Sequence, residues 1–198
     1  CGTSTIVYAS YLNEGKHVHV YEPQKNMYDL LIKNIKDNGL EHKVNPINAG
    51  VFCYDGYGTM NDIDLDGGGG TVIKRYNEEN HLPCNFGGIG LGSNGENVKL
   101  ITLDKMNLDN IGFIHCDAQG SENFIFSKGT ELIKKNHPVI LYENMHIQGT
   151  RFHDNVLREY PQCIEESKFD ISKYCMEELH YSQCIHAYEG GFDTLLIP

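Results

Sequence analysis

The chain contains no C-x-x-C pair, no H-E-x-x-H, and no glycine run followed by Lys-Ser or Lys-Thr at Walker spacing. These absences leave a zinc site, a zinc-protease helix and a phosphate-cradling loop without support. Positive charge is scarce: 16 Lys and Arg face 27 Asp and Glu, for a net charge of −11 and a pI near 5.3. Such a chain is a poor match for a nucleic acid or an anionic membrane surface. No apolar run approaches the roughly 20 residues of a membrane span. The first residues lack the charged-then-apolar pattern of a secretory leader. Seven cysteines, an odd number, give no disulfide framework, so a reducing, cytoplasmic setting is expected. The first residue is Cys1, not Met, so a fragment or a processed or trimmed form is expected.

What is present suits a single α/β domain, since 198 residues are enough for a real core. The stretch Ile111 to Asn144 carries the plainest pattern: strand, loop, helix, strand. Phe113 to Cys116 is a short apolar-leaning run, followed at once by Asp117. Gly120 permits a sharp turn, Ser121 suits an N-cap, and Glu122 suits the first helical turn. Pro138 stops the helix, and Val139 to Tyr142 is a second strand ending at Glu143. A strand–helix–strand unit makes the two strands parallel, with Asp117 and Glu143 on the same edge. In open α/β sheets that edge binds ligands.

The rest of the chain extends this alternation, which predicts a mainly parallel sheet. Gly2 to Asn13 suits a helix entered through small residues and hydroxyls, whose first N–H groups can bind an anion or a ligand carboxylate. His17 to Tyr21 reads as a strand closed by Glu22-Pro23. His17 and His19 share one face of it, as a metal pair or, the favoured reading, as ordinary strand residues. Met27, Leu30, Leu31 and Ile35 give the strongest helical signal, and Asn38-Gly39 caps that helix. Val44 to Phe52 and Val98 to Leu103 read as further strands. A missing first strand is expected to lie before Cys1. Residues 50 to 95 hold twelve of the 21 glycines, including the run Gly67 to Gly70. A glycine-rich insertion at about 55–95 fits either a lid over the site or a slack surface hairpin, with Val72 to Tyr76 as a short strand inside it. Asn155 to Glu166 and Ile171 to Leu179 are weakly helical. Cys184 to Tyr188 and Thr194 to Ile197 read as a C-terminal hairpin turned at Glu189-Gly190-Gly191, so the sheet is mixed.

Glu22 follows Gly2 by 20 residues, the interval at which a nucleotide-binding α/β domain places a carboxylate on the ribose hydroxyls. An NAD-type dehydrogenase would use the same spacing, so both classes stay open on these residues.

GTST before an apolar helix, VYEPQ, LLIKNIKDNGL with Asn34 and Asn38, ITLD, FIHCDAQGSE and SKGTELIKKNHPVILYE occur in an order and spacing that resemble the FkbM family of S-adenosylmethionine-dependent methyltransferases. Asp117, Gly120 and Glu122 match that family's motif, whereas His115 stands where Lys is usual and Gln119 where Glu is usual. The resemblance implies a Rossmann-like sheet flanked by helices, with a reversed last strand. It also implies methyl transfer to a hydroxyl, often of a sugar, a glycan or a sugar-bearing natural product. Gly2, Thr3, Thr5, Glu22, Pro23 and Asp117 are the residues expected to hold S-adenosylmethionine. Asp117, Glu143 and His146 are the candidates for orienting the acceptor and removing its proton. Asp117 also reads as a cap for the following loop, and His146 as an exposed loop histidine. His115, two residues before Asp117, is expected to orient it or to be buried. Asp117 and Glu143 together offer a place for Mg²⁺, which this reading does not favour. A domain of the same fold without catalytic activity remains the third alternative. Oligomeric state is not legible.

Overall fold

The computed structural model describes residues 2–61, 89–144, 150–186 and 193–198, with backbone alone at 150 and 151. Val72 to Tyr76, Gly67 to Gly70, His146 and the turn Glu189-Gly190-Gly191 lie outside the described residues.

Helix α1 (Thr3–Tyr11) leads to strand β1 (Val18–Tyr21), helix α2 (Lys25–Asp37) and strand β2 (Val44–Ile47), which pairs with β1 in parallel. Two short strands follow, β3 (Gly50–Val51) and β4 (Gly56–Asn61). They flank β5 (Asn94–Ile101), β3 in parallel and β4 antiparallel. The third sheet has the order β6-β7-β9-β8, from β6 (Phe113–Cys116), β7 (Val139–Glu143), β8 (Gln183–His186) and β9 (Asp193–Ile197). β6 and β7 are parallel, while β9 runs against both β7 and β8. The mixed α/β character and the reversed C-terminal strand agree with the sequence.

α2 ends as its residues dictate. Gly39 takes φ +66°, and the N–H groups of Gly39 and Leu40 reach back to the carbonyls of Lys36 and Ile35. That pair of bonds is a Schellman end. The side chain of Asn38 donates to the Asn34 carbonyl at 2.8 Å, so this motif asparagine finishes the helix. Leu31 and Ile35 face inward, but Leu30, inward in the helical pattern, is 39% exposed.

Three departures from the sequence have physical causes. The strand expected over Val44 to Phe52 is interrupted after Ile47. There Asn48 turns its amide onto the Glu22 and Pro23 carbonyls, at 2.8 and 3.0 Å. The single helix expected between Asp117 and Pro138 is two: α3 (Glu122–Ser127) and α4 (Thr130–Asn136). They part at Gly129, where a Cβ would come within 2.4 Å of the Leu103 side chain. Asp104 of the ITLD stretch then accepts the Leu132 N–H at 2.8 Å and serves the first turn of α4. Finally, both ends of the glycine-rich region are sheet. β4 and the start of β5 pair with each other, and Met60, Leu91, Val98 and Leu100 are core residues.

α5 (Thr150–Glu159) covers the sheet of β3, β4 and β5 through Val156, with Tyr160 just beyond its end, in a core with Phe52, Met60, Leu100 and Phe124. α6 (Ile171–Lys173, continued by a wider turn through Glu178) closes the other core with Ile125, Phe126, Ile133, Ile140 and Leu196. α1, α2 and β2 share a small third core of Ala9, Leu31, Ile35 and Val44.

Candidate functional site

β6 and β7 are in register from Phe113–Val139 to Cys116–Tyr142. The residues that follow, Asp117 and Glu143, therefore emerge side by side at the carboxyl edge. Glu122, from the first turn of α3, completes the group. One carboxylate oxygen from each of Asp117, Glu122 and Glu143 lies within 4.8 Å of the other two.

The loop between β6 and α3 holds these acids apart from the solvent to different degrees. Asp117 is exposed, Glu143 half-buried and Glu122 buried. Glu122 Oε1 accepts the Ala118 N–H at 2.7 Å, which ties the loop to the helix it precedes. Gln119 and Gly120 are both left-handed, at φ +51° and +89°. At Gly120 a Cβ would come within 2.7 Å of the Phe152 and His153 backbone, so the loop passes tightly under α5. Ser121 occupies the N-cap position but makes no cap bond, and its buried hydroxyl has no partner. Glu122 takes over the tying role expected of Ser121. Gln119 Nε2 donates to Asp117 Oδ1 at 2.8 Å and to Glu143 Oε2 at 3.2 Å.

Burial among neighbouring acids raises the proton affinity of Glu143 and Glu122. Burial, with the negative charge of Asp117 second, pushes Glu143 up to about 8. Burial also pushes Glu122 up to about 7, against the pull of the backbone N–H groups it accepts. An acid whose folded pKa is raised stabilises the fold below its unfolded pKa, about 4.5, and loses that contribution as pH rises through the folded value. For Glu122 the loss is on the order of 3 kcal/mol. Glu122→Gln keeps the acceptor for the Ala118 N–H and cannot ionise. Its melting temperature is expected to match wild type near about pH 5 and to exceed it near about pH 8. Thermal unfolding at both pH values checks this; equal differences at the two would show that Glu122 ionises freely.

A small concavity beside these acids is lined by Gly120, Glu122, Asn123, Tyr142, Glu143, Asn144 and His153. His153 stacks on Phe124 with 5.4 Å between ring centroids, and its Nε2 donates to the Ser167 carbonyl at 3.2 Å. Sequence reasoning named His146, outside the described residues, and missed His153 and Glu122 as site residues. The signal for Glu122 was present, since it ends the acidic motif that begins at Asp117. His153 carried none. His115 neither orients Asp117 nor is buried. It is exposed, and its Nδ1 lies 3.1 Å from the Tyr8 hydroxyl.

Of the residues expected around a nucleoside, Asp117 lies in this acid group, Glu22 and Pro23 follow the carboxyl end of β1, and Gly2, Thr3 and Thr5 lie at the start of α1. Glu22 follows β1, and its Oε1 accepts the Gln24 N–H at 2.9 Å. Burial raises its pKa, partly offset by that bond. Pro23 packs toward Gly50, where a Cβ would be 3.4 Å from the proline. Gly2 caps α1 at φ +85°, and a Cβ there would strike Leu31 at 2.5 Å. Thr3 is exposed and Thr5 is buried in the first turns of α1. α1 packs on β1, while its Tyr8 ring meets Phe113 and His115 of β6 edge-on. The helix thus joins the sheet that carries Glu22 to the one that carries Asp117. Acids at these strand ends can accept hydrogen bonds from hydroxyls, receive a proton, or ligate a cation.

A family model described as the methyltransferase FkbM domain matches residues 2–169. The fold is similar to the crystal structure of methyltransferase FkbM from Methylobacillus flagellatus KT, with a TM-score of 0.51 and 12% identity. The match covers 92% of this chain and 36% of that one, so the chain spans little more than a third of that protein's length. No curated protein matches the chain.

Proposed function

The chain belongs to the FkbM methyltransferase domain family, and on that premise we propose that it moves a methyl group from S-adenosylmethionine to a hydroxyl oxygen of an acceptor, a sugar, glycan or other small molecule. The observation that carries this reading is the placement of Asp117 and Glu143 together at the ends of paired parallel strands, beside a concavity. Glu22 fits a ribose: one oxygen is fixed by the Gln24 N–H, and the carboxylate lies at a strand end. Gly2, whose missing side chain leaves room for Leu31, joins the cofactor group on the family match, as the residue that enters α1. Thr3, Thr5, Pro23 and Asp117 complete the proposed cofactor group.

When bound, S-adenosylmethionine supplies a methyl group already activated on a sulfonium. The protein has to align the acceptor oxygen and remove its proton. Asp117, the exposed acid of the group, would accept the acceptor's hydroxyl proton, while bound S-adenosylmethionine would supply the methyl group and keep the electron pair on its sulfur. Glu143, holding a proton near neutral pH, and Gln119 keep Asp117 aimed. His146 remains a second candidate for the base. We place a further strand, contributed by residues before Cys1, between β1 and β6. Among the described residues, β1 pairs with β2 alone and β6 with β7 alone, and α1 crosses from one to the other. Among those residues no helix is long and apolar enough to cross a membrane, and the five free cysteines suit the proposed reducing cytoplasm.

The test is conversion of S-adenosylmethionine to S-adenosylhomocysteine by the full-length protein with a panel of sugar acceptors. Hydride transfer to NAD in the same assays, without methyl transfer, would support the dehydrogenase alternative. Cofactor binding without turnover would support a domain that keeps the fold alone. Glu22→Ala removes a charged acceptor of hydrogen bonds worth about 1.5–3 kcal/mol each. Calorimetry is expected to show cofactor affinity about tenfold lower or worse. Unchanged affinity would take Glu22 off the ribose.

A further inference from the structure

We propose that the Gln119 side-chain amide is a positioning residue that fills the place of a divalent cation between Asp117 and Glu143, leaving a carboxylate pair that works without metal. This rests on reading the site as a methyltransferase site.

The geometry supplies the argument. Three acids within 4.8 Å of one another repel unless partial positive charge sits among them. The Ala118 N–H supplies it to Glu122, and between Asp117 and Glu143 it is supplied by Gln119 Nε2, at 2.8 Å and 3.2 Å. A primary amide has two N–H groups, enough for one bond to each carboxylate. A cation bridging the same two oxygens would need them at about 2.0–2.6 Å, inside the space that nitrogen occupies. Amide and ion therefore exclude each other.

The backbone holds Gln119 in this role. It sits in the left-handed region at φ +51°, which disfavours any residue with a Cβ. It is wedged from both sides. A Cβ on Gly90 would come within 2.9 Å of the Gln119 carbonyl, and Gly120 is pressed against α5. A strained conformation persists only where its surroundings over-determine it, and such positions cluster at functional sites.

The test uses the full-length protein, with EDTA, MgCl2 and MnCl2 as probes, and the variants Gln119→Glu and Gln119→Met. Wild-type turnover should be indifferent to EDTA, and MnCl2 should produce no saturable rise in melting temperature. Gln119→Glu adds a fourth carboxylate and removes the amide. It should lose turnover in EDTA and show a saturable rise with MnCl2. Gln119→Met keeps the length and removes the donors. Its kcat should fall about tenfold or more, with KM for the acceptor nearly unchanged. Wild-type turnover that EDTA abolishes and Mg²⁺ restores would overturn the proposal. So would a saturable Mn²⁺ shift in wild type that Asp117→Asn removes, or an unchanged kcat in Gln119→Met. If no methyl transfer is found at all, the functional reading fails, yet the Mn²⁺ melting shifts of wild type and Gln119→Glu still decide the place of the amide. If Gln119→Glu does not fold, the wild-type titration decides it alone.

Discussion

Asp117→Asn is expected to lower turnover by about 10²-fold or more, the range for loss of a positioned proton acceptor. The substitution keeps the shape of the side chain and removes its charge. Asp117 is the most exposed of the three acids, and it emerges from β6 where β7 delivers Glu143. The second acid cannot substitute easily, since Glu143 is half-buried and holds its proton up to about 8. Single-turnover rates with S-adenosylmethionine measure the loss, alongside the melting temperature. A melting temperature that drops while turnover per folded molecule stays near wild type would make Asp117 a structural cap. Catalysis would then have to be sought at Glu143 and His146.

Phe124→Ala should be the most destabilising substitution outside the acid group, at about 3–5 kcal/mol. Its ring has no exposure and stacks on Phe52 at 5.2 Å, with His153 on a 5.4 Å contact. For a chain of this size each kcal/mol shifts the melting temperature by roughly 2–4 °C, so a fall of about 10 °C is expected. Phe113→Ala, at a ring 42% exposed, is the comparison and should cost far less. Chemical denaturation of both variants measures the difference. A loss below about 1 kcal/mol for Phe124→Ala would mean that the site collapses to fill the gap.

Much of the site edge was legible because strand ends are local. Phe113 to Cys116 and Val139 to Glu143 are short apolar runs with an acid directly after or at the end, and alternation with a helix fixes their direction. The capped end of α2 was legible for the same reason, since Asn38 and Gly39 act on their own neighbours. What escaped depends on partners distant in sequence. β5 begins in the polar run Asn94 to Asn97, and it is strand there because β4 pairs with it. The break between α3 and α4 follows from the Leu103 side chain against Gly129. The contact that occupies His115 comes from Tyr8, 107 residues away. His153 lines the concavity beside the acids because Gly120 lets α5 approach.

Five consecutive residues of α3 are buried, and they look in different directions. Glu122 belongs to the acid group. Asn123 donates to the Ser167 carbonyl at 3.0 Å, Phe124 enters the core under β5, and Ile125 and Phe126 enter the core under β7. A helix of six residues has little stability of its own. Here it acts as a rivet through two plates. The acid group therefore has no private hinge: opening it requires both cores to open, and the rigidity that aims Asp117 is borrowed from the whole molecule. Adaptation to a new acceptor would have to come from the walls around this rivet, because five of its six side chains are already buried.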